Sequence, residues 1–174
     1  MAMESIFDLP THTLVVHAPV VLQPLLAITT IVVVARRRWR RRFGWWLVAA
    51  LVVVFVSVLV AMASGEAFDE LLDGLVDVSG HEALAETTRN LMALWLVALV
   101  ALVVIERRDS RGSENEAVAE TPTADRGAVA LRLVVPALAW VVAILAVLST
   151  VWRVRTGHEG ARVTWSGVIE QQRD

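Results

Sequence analysis

The 174-residue sequence contains no cysteine. This absence excludes disulfides, thiolate metal sites, iron–sulfur clusters held by cysteine and covalently attached c-type haem. It also excludes lipidation on cysteine. Lysine is absent too, so all 16 basic residues are arginine. We attribute that bias to a GC-rich genome and draw no chemistry from it.

The motifs of soluble enzymes are also missing. The sequence has no phosphate-binding loop, no dinucleotide fingerprint, no nucleophile elbow and no His-Glu-x-x-His. Its first residues, MAMESIFDLPTH, lack the basic region that opens a signal peptide. We therefore expect the first apolar run to remain as a transmembrane helix, and we do not expect the chain to be an enzyme by itself.

Apolar residues are present in excess. They make up 56% of the chain, and the mean hydropathy is +0.61, whereas a soluble domain is about 45–50% apolar. The excess lies in four Leu/Val/Ala-rich runs, and a run of ~20 such residues crosses a bilayer. The sequence therefore predicts one all-α membrane domain over residues 1–174, a four-transmembrane-helix bundle. The predicted spans are residues 14–35, 45–63, 87–105 and 128–152.

Two connections carry recognisable patterns. Residues 64–80 are acidic, and their apolar residues recur at the spacing of one helix face. This pattern predicts a short amphipathic surface helix between spans two and three. Residues 106–127 are polar and contain proline, glycine and serine, which predicts a flexible cytoplasmic connection between spans three and four.

The arginines indicate an orientation. Residues 36–42 hold six of them and residues 106–127 hold four, and an arginine excess marks the cytoplasmic side of a membrane protein. We therefore expect both termini and the acidic loop to be extracytoplasmic. Because the 36–42 cluster adjoins two spans, it is expected to anchor the topology and bind anionic lipid headgroups, not nucleic acid.

All four histidines of the chain fall on one side of the predicted topology: His12, His17, His81 and His158. Histidine avoids hydrocarbon and prefers helix ends, which is one explanation. The other is a shared site, because His17, His81 and His158 come from three helices, as in bundle cofactor sites. Two histidines can ligate a haem axially, and three can hold zinc or copper. We therefore predict a site at the extracytoplasmic rim for haem b or for copper or zinc.

Two methionines are weaker candidate ligands. Met62 and Met92 lie near the same ends of spans two and three, and a thioether suits copper(I) or an axial haem position. Ordinary packing is the more frequent role of methionine in a membrane helix.

At these residues the chain resembles a bacterial membrane family known as domain of unknown function 2231. The resemblance spans nearly the whole chain and is carried by short motifs. The matching positions are His12, His17 and Pro19; Ser64 and Gly65; His81; and His158, Gly160 and Val163. The chain departs from the family pattern at Thr13, at Ala18, and at Thr164 and Trp165.

The resemblance implies an uncharacterised membrane protein. It also implies membrane redox proteins, of the Rieske or cytochrome type, as partners, because such proteins can accompany members of the family. This favours a redox interpretation of the histidines.

Three functions follow from the sequence. The first is a haem- or metal-binding membrane protein in electron transfer. The second is a non-catalytic accessory or structural subunit of a larger membrane complex. The third, a proton-linked transporter, is disfavoured because Gln23 is the only clearly polar side chain at the predicted span centres, and proton relays use buried ionisable groups.

Overall fold

The structure is a computed structural model that contains four long helices and one short strand pair. The helices are α1 (His17–Val34), α2 (Arg37–Leu72), α3 (Ser79–Glu116) and α4 (Arg126–Gln171). The strands β1 (Ser5–Ile6) and β2 (Leu9–Pro10) pair antiparallel. The structure describes the backbone of residues 5–6, 9–10, 16–72, 78–116 and 126–171, and the side chains of 16–67, 78–109, 133–162 and 165.

Each helix contains a stretch long and apolar enough to cross a membrane. Mean hydropathy over an 18-residue window within each stretch ranges from 1.9 to 2.8. The stretches are His17–Val34, Arg37–Ala67, Ser79–Asp109 and Leu133–Arg162. The prediction of a four-helix membrane bundle is confirmed.

Three of the helices, α2, α3 and α4, run well past the predicted spans, whereas α1 lies within its predicted span. α2 begins at Arg37, so most of the arginine cluster is helical. Residues 64–72 continue α2 without a break, so this half of the expected surface helix is not a separate element; residues 73–77 lie outside the described part. Hydropathy marks where the hydrocarbon ends, whereas arginine and glutamate are good helix formers that extend a helix into water.

The connection expected at residues 106–127 is likewise partly helical. Residues 106–116 belong to α3, and α4 begins at Arg126. The remainder, residues 117–125, lies outside the described residues.

The four helices form a closed ring. Each packs on the next along the chain, and α4 also packs on α1. Because successive helices cross in opposite directions, the starts of α1 and α3 lie beside the last third of α4, and we call this the histidine end. The opposite end, where α2 starts and α3 passes Glu106, is the arginine end.

The core runs along the axis of the ring. Its largest fully buried side chains include Trp95, Met92 and Leu99 on α3, with Leu51 on α2 and Val142 on α4. The outer faces are apolar as well: Ile28 is 61% exposed and Trp140 is 72% exposed. In a bilayer these faces contact acyl chains, so their exposure carries no hydrophobic penalty.

One glycine sets the spacing of α2 and α3. A Cβ at Gly44 would lie 2.8 Å from Cγ2 of Val103, closer than real Cβ contacts. Small residues allow membrane helices to approach closely. Gly44 therefore permits the contact that brings the start of α2 against α3.

Candidate functional site

His81 sits in the first turn of α3 and contacts α4. Its Nδ1 lies 3.1 Å from the carbonyl oxygen of Thr156. A carbonyl oxygen only accepts, so the hydrogen bond requires Nδ1 to carry the proton. In the neutral ring the lone pair then belongs to Nε2.

The ring of His81 also packs on the backbone of Gly160. A Cβ at position 160 would lie 3.0 Å from Cε1 of His81 and 3.1 Å from its Nδ1. Because glycine has no Cβ, the Cε1–Nδ1 edge of the imidazole can approach the backbone of α4 closely. The hydrogen bond and this contact together fix the orientation of the ring.

A buried threonine pair lies two turns along α3 from His81. Oγ1 of Thr88 is 3.1 Å from Oγ1 of Thr156, and both side chains are buried. Each hydroxyl also has a backbone carbonyl within its own helix, Leu84 for Thr88 and Trp152 for Thr156, at 2.9 Å. Thr156 therefore joins α3 and α4 through its side chain and its carbonyl at once.

A surface groove opens beside this junction. His158 is exposed and lines the groove. Leu84, which lies one helical turn from His81, forms part of the opposite wall. The full lining is Leu84, Val154, Arg155, His158 and Glu159. Of the predicted histidines, His158 lines this groove, whereas His81 lies against Thr156 and Gly160 and is not part of the lining.

The other predicted ligands are placed differently. His17 is exposed at the start of α1, and His12 lies outside the described residues. Met92 is fully buried in the core, and Met62 packs against that core. Within the described residues, no group of three or more His, Asp or Glu side chains is arranged to hold a metal ion.

A second polar contact at the histidine end was not predicted. Nε of Arg153 in α4 donates to Oε1 of Gln23 in α1 at 2.8 Å. Gln23 is fully buried. The position of Gln23 inside an apolar span indicates a polar contact within the bundle. The sequence did not indicate Arg153 as the partner, because the fourth span was predicted to end at residue 152.

Several buried polar atoms have no hydrogen-bond partner within the described part of the chain. Two of them belong to this contact: Nε2 of Gln23 and Nη2 of Arg153. The others are Oγ1 of Thr30 and Nε1 of Trp95. Unpaired buried donors are rare in folded proteins, because desolvation of each is unfavourable.

The arginine end holds a third polar cluster. Arg40 forms a two-point ion pair with Glu106, whose side chain is 3% exposed. Arg40 also donates from Nη1 to the carbonyl of Val34, the last residue of α1. A more exposed pair joins Arg37 to Asp109 at 2.8 Å. Part of the arginine cluster therefore holds α1, α2 and α3 together, a role that the sequence did not indicate.

Four apolar helices in a closed antiparallel ring, with polar clusters at both ends, define a multi-pass membrane protein. The chain belongs to the family described as predicted membrane protein, domain of unknown function 2231 (DUF2231), whose model matches residues 8–172. The family resemblance is therefore confirmed. No curated protein and no solved structure matches the chain.

Proposed function

We propose that the protein binds a haem at its histidine end through His81 and serves in electron transfer. The observation that carries the proposal is the hydrogen bond from Nδ1 of His81 to the carbonyl of Thr156. A metal-ligating histidine almost always donates its other ring N–H to such an acceptor, which fixes the tautomer and the ring orientation. Nε2 is then the nitrogen presented to iron.

The groove lined by Leu84 and His158, which does not include His81 in its lining, offers surfaces that suit haem better than a bare metal ion. Leu84 and Val154 offer apolar surface, Arg155 offers a cation for a propionate, and His158 offers a second imidazole. The porphyrin supplies the equatorial ligands, so the protein supplies only axial ones.

A copper or zinc ion without a porphyrin must take most of its ligands from the protein. A zinc site takes three or four protein ligands, and the described residues contain no such group. Copper or zinc bound by His12, His17, His81 and His158 is therefore the alternative outcome of the same experiment.

The test is a hemin titration of protein purified in detergent from haem-deficient cells. Wild-type protein is expected to give a red-shifted Soret band that saturates at one hemin per chain, and His81→Ala is expected to lose it. Glu82→Gln is the matched control, since the exposed Glu82 is the next residue on α3. The haem proposal fails if wild-type protein shows no Soret shift. Stoichiometric copper or zinc by elemental analysis would then support the alternative, and the absence of iron, copper and zinc would overturn both.

A His158→Ala variant identifies the second axial ligand. If His158 binds iron, the variant is expected to change from a six-coordinate to a five-coordinate spectrum while retaining hemin. An unchanged spectrum assigns that position to another residue, with His17 the next to be substituted.

The second candidate function is a non-catalytic subunit of a larger membrane complex. The observation that favours it is the outer face of α4, where Trp140 is 72% exposed and Trp165 is 59% exposed. Tryptophan is enriched in protein interfaces. In this case replacing all four histidines with alanine leaves assembly intact, whereas Trp140→Ala weakens co-purification of the partner.

We further propose that the arginine end faces the cytoplasm of a bacterial cell, with both ends of this chain on the outer side of its plasma membrane. The positive-inside rule supports this orientation. Reporter fusions at residue 174 test it, and a cytoplasmic signal there would reverse it. An outward-facing haem would exchange electrons with a membrane redox protein of the Rieske or cytochrome type.

A further inference from the structure

A partly buried positive charge lies between α1 and α4, where Arg153 contacts the fully buried Gln23. Gln23 is six residues from the start of α1, about 9 Å along the helix axis. Arg153 directly follows Trp152, where the apolar run of α4 gives way to polar residues. The pair therefore lies at the polar boundary of the histidine end.

Two hydrogen-bond donors of this pair have no acceptor among the described residues. Arg153 uses Nε to donate to Oε1 of Gln23. Since a guanidinium has no acceptor, the amide oxygen must face it and the amide nitrogen must point elsewhere. Nε2 of Gln23 and Nη2 of Arg153 are both buried and have no partner within the described residues.

Among the described residues the charge has no counter-ion either. The guanidinium of arginine stays protonated in proteins, and the ion pairs found in the described part of the chain do not include Arg153. A charge that is shielded from water is disfavoured unless it is paired, and a charged residue at the edge of a membrane span is a candidate functional residue. What the pair lacks is a group that is negative and only accepts hydrogen bonds.

We propose that Arg153 and Gln23 bind a phosphate-type oxyanion at the histidine end of the bundle. Such a group accepts from Nη2 of Arg153 and Nε2 of Gln23 together, and arginine–phosphate hydrogen bonds are strong because both partners are charged. The oxyanion is either the headgroup of a phospholipid or dissolved phosphate.

Both sources are compatible with the surroundings. Val21 on α1 and Val154 on α4 are 54% and 67% exposed, so acyl chains can lie along these faces beside the pair. Dissolved phosphate would enter from the polar boundary of the histidine end. Val154 borders both sites, but neither Arg153 nor Gln23 is proposed to bind haem, so the two proposals fail independently.

The experiment uses the full chain, purified and delipidated in a non-ionic detergent. Palmitoyl-oleoyl-phosphatidylglycerol, the matching diacylglycerol without phosphate, and inorganic phosphate are added separately. Native mass spectrometry counts bound lipid, and the melting temperature reports inorganic phosphate. Wild-type protein is expected to bind one phosphatidylglycerol and no diacylglycerol, and a rise in melting temperature with inorganic phosphate would show that the dissolved anion binds as well.

Two variants test the residues. Arg153→Met keeps the side-chain length and removes the charge, and we expect affinity for the oxyanion to fall about tenfold or more, the value of a charged hydrogen bond. Arg162→Met, on the same helix and exposed, is the matched control and is expected to bind like wild type.

Gln23→Glu keeps the test decisive if Arg153→Met does not fold. Glutamate has nearly the shape of glutamine and gives Arg153 an internal counter-ion. We expect this variant to melt at a higher temperature than ligand-free wild type and to bind neither phosphatidylglycerol nor phosphate. The proposal is overturned if wild type binds neither probe, or if Arg153→Met and Gln23→Glu bind as wild type does.

Discussion

Arg40 of α2 binds the carboxylate of Glu106 in α3 through two N–H groups, with Nε 3.0 Å from Oε2 and Nη2 3.1 Å from Oε1. A third N–H of the same guanidinium reaches the carbonyl of Val34 at the end of α1. One side chain thus ties three helices at the arginine end. A charged hydrogen bond contributes more than a neutral one, and this pair is largely shielded from solvent.

Glu106→Ala is expected to destabilise the protein by about 3 kcal/mol, because removing one partner leaves a shielded guanidinium unpaired. The seven tryptophans allow SDS-induced unfolding in mixed micelles to be followed by fluorescence. Asp109→Ala is the control; its partner Arg37 is 59% exposed, so a loss of no more than about 1 kcal/mol is expected. Equal losses in the two variants would contradict the structural role of the Arg40–Glu106 pair.

Gly44→Val is expected to destabilise the bundle by about 1–3 kcal/mol, the usual effect of overpacking. The added carbons meet Cγ2 of Val103, whose branched side chain has little rotational freedom. Val103→Ala in the same chain makes room and is expected to restore much of the loss, which the same unfolding titration measures. If the second substitution makes no difference, α2 and α3 do not approach as described.

The Thr88–Thr156 pair is expected to be coupled. Thr88→Val and Thr156→Val each remove the interhelical hydrogen bond, at about 0.6 kcal/mol for such bonds in membranes. The double variant is expected to lose less than the sum of the two, because the bond is removed only once. A double-mutant cycle measures this coupling energy, and strict additivity would argue against the contact.

Gly160→Ala is expected to displace the ring of His81, because the new Cβ would lie 3.0 Å from Cε1. If His81 binds haem iron, this displacement weakens hemin binding without removing the ligand. Gly157→Ala is the matched control, since a Cβ there meets nothing within 4 Å. Hemin titrations of the two variants compare them, and equal affinities would remove Gly160 from the proposed role of positioning His81.

The family resemblance and the four spans were predictable because both depend on local sequence. An apolar run of sufficient length must cross the membrane as a helix whatever surrounds it, since its backbone groups find no other partners in hydrocarbon. The predicted ends of α2, α3 and α4 were wrong because hydropathy reports the apolar part of a helix and not its full length. Charged residues dominate positions 37–42 and recur at 66–70, yet the backbone remains helical through both regions.

Counting the spans predicted the side of the membrane on which the histidines lie. It did not predict which residues they contact. Counting places His17, His81 and His158 at one end without saying how each helix is rotated about its axis. The structure turns His81 towards Thr156, while His158 and His17 stay exposed. Three histidines on one side of a membrane form a metal site only if the rotation of each helix points them towards one another.

Sequence alone determined that the chain is a four-span membrane protein with chemically different ends. Only the tertiary structure decided which polar residues meet, because Gln23 and Arg153 are 130 positions apart and Arg40 and Glu106 are 66 apart. Such pairs depend on which helices are neighbours in the ring and on which face each one presents. Periodicity within a single helix carries no information about either choice.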